Sequence, residues 1–457
     1  MKGSVDMTHG PIAGKTMKFA LFLAATGMMQ QLFNAIDAVI MGQFVGKEAM
    51  AAVGSSVPLV AFIITFFIGI SLGANVVIAR LTGAGKREKI TAAVHTSLFF
   101  ALLAGLSMLV VGEILAEPIL GLLMVPEELM PLSLLYLRII FLALPGVLLY
   151  NFSSAIFRSQ GDTRTPMVCL GIAGILKVIV SFSLVVFFHF GVAAVAISTA
   201  CATLLSSGLL LCLLSHTKMA VRISPGLMKI DGSLLAEILR IGVPAGMQGA
   251  VFSLSNIVIQ AAINSLGSDV MAASAAAFNL EILAYIFVNA FGQACTTFVG
   301  QNYGAGKRDR CFRVARITTF QNLAFTILLG GIIIYFGRPL MHLFTTDESV
   351  VSYGIIRIRY ILLAEPLNLM IEMISGFLRG FGISFAPAVI VVTGICGSRV
   401  LYMATVFTRI STFPVLMAVY PLSWAITAAG LLILLWWEWK KIRGTADPSG
   451  KAGRSLK

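Results

Sequence analysis

Apolar residues in this chain come in runs long enough to cross a bilayer, and the runs recur from one end to the other. A helix needs about 20 mostly apolar residues to cross the hydrocarbon core. The pattern predicts twelve such helices, at residues 17–42, 51–80, 91–115, 131–156, 166–189, 192–214, 235–263, 271–302, 313–336, 351–378, 387–409 and 415–438. The first run, Met17 to Gly42, exceeds a signal-peptide core and has no small-residue cleavage site before a soluble domain, so it is read as a retained helix. The expected fold class is an all-α polytopic membrane protein.

Composition agrees. Of 457 residues, 58% are hydrophobic and 12% charged, about half the charge of a typical soluble domain. The net charge of +13 would suit nucleic acid, but its placement argues for topology instead. With the N-terminus inside, 25 of the 33 Lys and Arg residues fall on inward segments, and only Lys47, Arg338 and Arg409 fall outward. That bias puts both termini in the cytoplasm of a bacterial inner-membrane protein and leaves no nucleic-acid partner. The six cysteines stand singly, without the spacing of a disulfide framework or a metal site.

The chain also repeats itself. Shifted by 221 residues, Gly83-Ala-Gly-Lys-Arg87 falls on Gly304-Ala-Gly-Lys-Arg308, Gly46 on Gly267, Pro145 on Pro366, Arg158 on Arg379 and Pro166 on Pro387. Each copy holds six spans, an even number, so the copies face the same way and are related by an axis along the membrane normal. The predicted organisation is an N-terminal lobe at 17–214, a cytoplasmic linker at 215–234, a C-terminal lobe at 235–438 and a cytoplasmic tail at 439–457. Transporters built this way place substrate between the halves and rock one against the other.

Ionisable groups at membrane depth cost roughly 2.5–3.5 kcal/mol each on insertion scales, so each needs a reason. The first span carries Gln30, Asn34 and Asp37 along one helical face, the eighth Glu281, Tyr285 and Asn289, and the tenth Glu365, Asn368, Glu372, Ser375 and Arg379. Asp37, Glu281, Glu365 and Glu372 are the candidates for binding a proton or cation. Gln30, Asn34, Tyr285, Asn289, Asn368, Lys177 and Arg399 are the candidates for a polar cavity lining. Two readings of these charges stay open. Lys177 either serves as a tethered counter-ion for Asp37 or merely neutralises a carboxylate, and Glu372 either binds a cation or pairs with Arg379. Trp436, Trp437 and Trp439 before Lys440 and Lys441 read as an interfacial anchor.

Enzyme signatures are missing from the sequence. The two Gly-Ala-Gly-Lys-Arg segments lack the leading glycine of a phosphate loop, having Arg80 and Gln301 there, and have Arg87 and Arg308 where Ser or Thr is required.

Several stretches together resemble a multidrug and toxic compound extrusion (MATE) transporter across residues 17–438. They are Phe33–Asp37, Met41–Gly46, Ala51–Gly54, Gly83–Arg87, Arg158–Thr163, Thr297–Lys307 and Leu378–Gly382. The resemblance implies a V-shaped pair of six-helix lobes exporting organic cations and other amphipathic small molecules in exchange for Na⁺ or H⁺. No other cofactor is implied, and the expected partners are membrane lipids and small organic substrates, with the chain acting as a monomer. Asp37 falls on the first-helix acid that relatives use for coupling. Two departures stand out. Lys177 and Ser181 occupy fifth-helix positions where many members have Asn and Asp, and Phe252 and Asn368 replace the seventh-helix Glu and tenth-helix Asp of the Na⁺-coupled branch. Related lipid-linked precursor flippases, with more cationic cavities, give the alternative reading.

Overall fold

In the computed structural model, which describes residues 5–444 apart from 124, 225, 227 and 228, twelve helices are long and apolar enough to cross a membrane. They are α1 (Ile12–Phe44), α2 (Lys47–Gly83), α3 (Arg87–Leu122), α4 (Met130–Ser159), α5 (Arg164–Val186), α6 (Val192–His216), α7 (Gly232–Ser265), α8 (Ser268–Gly304), α9 (Arg308–Tyr335), α10 (Glu348–Gly380), α11 (Phe385–Phe407) and α12 (Phe413–Ile442). Most run a few residues past the apolar stretch that predicted them. A helix keeps its backbone hydrogen bonds satisfied into the interfacial region and stops only where the chain is forced to turn. Several stops are glycines at repeat-related positions, with φ of 112° at Gly46 and 105° at Gly267, and 83° at Gly161 and 77° at Gly382. A side chain there would be strained, so the turns recur where the glycines recur.

In the N-terminal lobe α4 is central, touching α2, α3 and α6, with α5 between α1 and α6. In the C-terminal lobe α10 takes that place, touching α8, α9 and α12. The lobes meet through α2 against α7 and α8, and α1 against α8 and α9. Close approach needs small residues. A Cβ on Gly69 would strike the backbone of Gly246, and one on Gly73 that of Gly242. The paired loops meet with pseudo-symmetry, Gly83 against the carbonyl of Gln301 and Gly304 against that of Arg80, positions 221 apart. Beside them Arg80 contacts Glu237 at 2.9 Å, and Gln301 donates to the Ser159 carbonyl.

The segment ahead of α1 straps this seam. The Val5 amide donates to the Gly161 carbonyl of the N-terminal lobe. Met7 is fully buried in the C-terminal core, and its carbonyl accepts from Asn302 and Arg310. Between the lobes, residues after His216 dock on α3. Thr91 donates to the Ala220 carbonyl, and the Ser224 amide donates to His95 Nε2. Pro225 of the predicted linker, and residues 445–457 of the predicted tail, lie outside the described residues.

Two features were not expected. A short helix, Gly337–His342, intervenes between α9 and α10. Within α11 the turns of Val392–Gly397 and Met403–Phe407 are π-helical, on either side of the α-helical turn Ser398–Tyr402 that carries Arg399. Such widened turns accommodate an extra residue and have no sequence signature. At the end of α12, Lys440 lies over the Trp436 ring and Lys441 over that of Trp437, at 3.7 and 4.0 Å.

Candidate functional site

A cavity of about 600 Å³ opens in the C-terminal lobe among α7, α8 and α10, with Thr65, Ile68, Gly69 and Leu72 of α2 contributing from the other lobe. Three carboxylates line it, and their surroundings differ. Glu281 on α8 accepts two hydrogen bonds from the guanidinium of Arg357 on α10, at 2.9 and 3.0 Å. Glu365 is buried and accepts from the Asn368 side-chain amide at 2.9 Å, one turn along α10. Glu372 lies two turns beyond Glu365 and packs against Gly292 of α8. Among the described residues neither Glu365 nor Glu372 has a Lys, Arg or His nitrogen within ion-pair distance.

Amides and aromatic rings form the remaining wall. Gln293 accepts from Arg158 of α4 at 2.9 Å and donates to Asn289 at 2.6 Å, which links the cavity to the N-terminal lobe. Gln248 of α7 accepts from Arg379 at 3.4 Å. The rings of Phe252 and Tyr285 lie parallel within 9°, their centroids 6.4 Å apart, and Trp424 and Tyr420 of α12 close another side.

The structure thus brings Glu281, Tyr285, Asn289, Glu365, Asn368 and Glu372 to one cavity. It leaves four of the expected lining residues off it. Gln30 and Asn34 are exposed on α1 while Asp37, on the same stripe, is buried. Lys177 reaches from α5 to Asp37, with Nζ 2.5 Å from Oδ2. Arg399 is fully buried, donating to Ser255, Asn256 and Ser423 and lying over the rings of Phe252 and Tyr420. Helical spacing identifies a face but not which stretch of that face is covered. The proposed Glu372–Arg379 pair does not form either. Seven residues are about 10.5 Å of helix rise, too far for the two side chains to meet in line, and Arg379 bonds Gln248 instead.

Arg357 was overlooked in the sequence. It lies two turns before Glu365 on the same α10 face, so its spacing was visible, but its partner Glu281 comes from another helix. Gln248, Asn256 and Gln293 were missed because single amides in an apolar run carry little signal.

Three comparisons bear on this geometry. The MatE family profile matches residues 23–183 and 244–405, one match in each lobe. The probable multidrug resistance protein YoeA of Bacillus subtilis is 28% identical over 438 residues, covering 93% of each chain. The probable multidrug resistance protein NorM of Thermotoga maritima is 26% identical over 393 residues, 85% of this chain and 84% of that one. A protein described as an FAD transporter in Shewanella oneidensis is 29% identical over 330 residues, 70% of this chain and 72% of that one. Among solved structures, an outward-facing multidrug resistance MATE transporter superposes with a TM-score of 0.88 at 19% identity, covering 98% of this chain and 99% of that one. A transporter from Pyrococcus furiosus, described as having a binding pocket of reverse polarity, gives the same values.

Proposed function

This chain belongs to the MatE family of membrane transporters, and we propose that it exports amphipathic organic cations by antiport against Na⁺ or H⁺, with alternating access. It is a bacterial inner-membrane protein. The excess of Lys and Arg on one set of loops supports cytoplasmic termini, and a cavity contained within one chain supports a monomer as the working unit.

The observation that carries this reading is the placement of Glu365 and Glu372 in a cavity walled by Phe252, Tyr285 and Trp424. Aromatic faces favour the apolar body and positive charge of an organic cation. Carboxylates without a fixed counter-ion take up either that charge or the coupling ion, and competition between the two is what antiport requires. The flippase alternative asks for free cations along the path. Lys177 and Arg399, which suggested it, are both engaged off the cavity, and of the two arginines that line it Arg357 is paired with Glu281 and Arg379 bonds Gln248.

The test is ethidium export in membrane vesicles carrying imposed Na⁺ or pH gradients. One of the two gradients should drive export, and Glu365→Gln should reduce the driven component to background while the protein stays folded. Unchanged ethidium and fluoroquinolone accumulation in drug-sensitive cells, with envelope precursors building up on deletion, would overturn the reading.

A further inference from the structure

The Asp37–Lys177 pair closes a site that would otherwise be open to an exchangeable cation. Asp37 of α1 and Lys177 of α5 are 9% and 8% exposed. The ammonium sits 2.5 Å from one carboxylate oxygen. The other oxygen, Oδ1, is buried without a hydrogen-bond partner, as is the Ser181 hydroxyl one turn along α5 from Lys177. Leftover acceptor oxygens around a buried carboxylate are what a small cation would use, and here the charge is supplied by the chain.

A mobile ion cannot take that place cheaply. Loading Na⁺ or H⁺ on Asp37 would strand the Lys177 ammonium in a buried position, the situation that makes breaking a buried pair far worse than deleting it. The repeat supplies a second argument. Position 177 shifted by 221 falls beside Arg399, and Arg399 likewise reaches the first helix of its lobe, bonding Ser255 and Asn256 of α7. A cation at this place is thus built into both lobes, and Asp37 is matched by Val258 in the second. In the cavity, Glu281 is similarly held by Arg357, which leaves Glu365 and Glu372 to exchange.

We propose that Lys177 is a tethered cation that fills the Asp37 site throughout the transport cycle, so that the exchangeable ion is taken only in the C-terminal lobe. The proposal rests on the antiport reading for its meaning, but ion binding to the purified protein tests it without any drug.

The experiment measures ²²Na⁺ bound per chain and the protonated-carboxyl infrared band on full-length protein in detergent. Wild type, Lys177→Met and the neutral double variant Asp37→Asn/Lys177→Met are compared. Lys177→Met should gain one bound Na⁺, or one protonated carboxyl, per chain, and the double variant should lose that gain. The double variant should also keep ion-driven ethidium export within about twofold of wild type, since removing both members of a buried pair is often near neutral. A folded double variant that has lost driven export overturns the proposal, as does a wild-type Asp37 carboxyl that loads Na⁺ or a proton. Where Lys177→Met does not purify as a folded protein, the double variant decides alone. If wild type exports nothing while the binding results hold, the antiport reading fails and the tethered cation stands.

Discussion

In the N-terminal lobe the buried acid Asp37 meets a lysine of its own lobe at 2.5 Å, while the C-terminal lobe holds Glu281, Glu365 and Glu372 around open space, with a guanidinium on Glu281 alone. The lobes that hold these groups are copies of one another, down to the glycines that end α1 and α7, and α4 and α10, and the loops that meet across the seam. Duplication therefore sets the scaffold, and the chemistry comes from substitutions at positions the scaffold leaves free. One lobe has its buried acid neutralised by a lysine, and the other is a cavity with carboxylates to spare.

The largest effect should come from breaking the C-terminal lobe's own closed pair. Arg357→Ala leaves Glu281 buried without a partner, and losing one member of such a pair costs about 3–5 kcal/mol. Thermal unfolding in detergent should show a large drop. Replacing both, Glu281→Leu with Arg357→Met, should restore most of the loss. If the double replacement is as unstable as the single one, Glu281 and Arg357 are not acting as a compensated pair, and the parallel with Asp37–Lys177 breaks.

Much of this contrast was legible in the residues, and some was not. The twelve spans, the duplication and the α8 and α10 stripes follow from periods of apolar and polar positions, which are local properties. The cavity gathers six of the expected residues because a polar face on a buried helix has nowhere else to go. What a helix face meets is not local. Asp37 and Lys177 are 140 positions apart, so their pairing could be named as one of two readings but not chosen. Gln30 and Asn34 share the Asp37 stripe and are exposed, because α1 is covered only over part of its length. The π-turns flanking Arg399 have no signature, since they answer to packing against neighbours such as Thr427, which fills the space beside Gly394.

A middle-sized effect should separate the two seams between the lobes. Where α2 crosses α7 the contact is backbone to backbone at Gly69 and Gly246. Its repeat counterpart, α1 on α8, is filled by the edge-to-face rings of Phe19 and Phe298, centroids 5.5 Å apart. Gly246→Ala places a methyl against the Phe66 carbonyl, and overpacking of this kind costs about 1–3 kcal/mol. Export should fall with it, because the proposed alternating access rocks the lobes about this contact. A Gly246→Ala protein with unchanged melting temperature and export would show that the α2–α7 seam is looser than its geometry indicates.

The smallest effect concerns how each lobe starts. Helix α1 begins after Pro11 without a side-chain cap and relies on the strap before it, whereas α7 begins on Asp231, whose carboxylate accepts from the Ser233 and Leu234 amides at 2.9 and 3.1 Å. The hydrogen bond from the Ser233 side chain, the Leu234 amide and the nearby charge of Lys89 hold the Asp231 carboxyl below its ordinary value. A group lowered in the folded state stabilises it above the unfolded pKa, about 4 for aspartate, and the contribution disappears as pH falls through the folded value. Asp231→Asn keeps an acceptor oxygen for the two amides but removes the titration. Hydrogen exchange at Ser233 and Leu234 should therefore speed up on acidification in wild type, beyond the intrinsic pH trend, and follow only that trend in Asp231→Asn. Equal acid sensitivity in both proteins would mean that the first turn of α7 is held by its docking on α3 through Thr96, which accepts from the Asp231 amide, and that the two lobes begin in the same way after all.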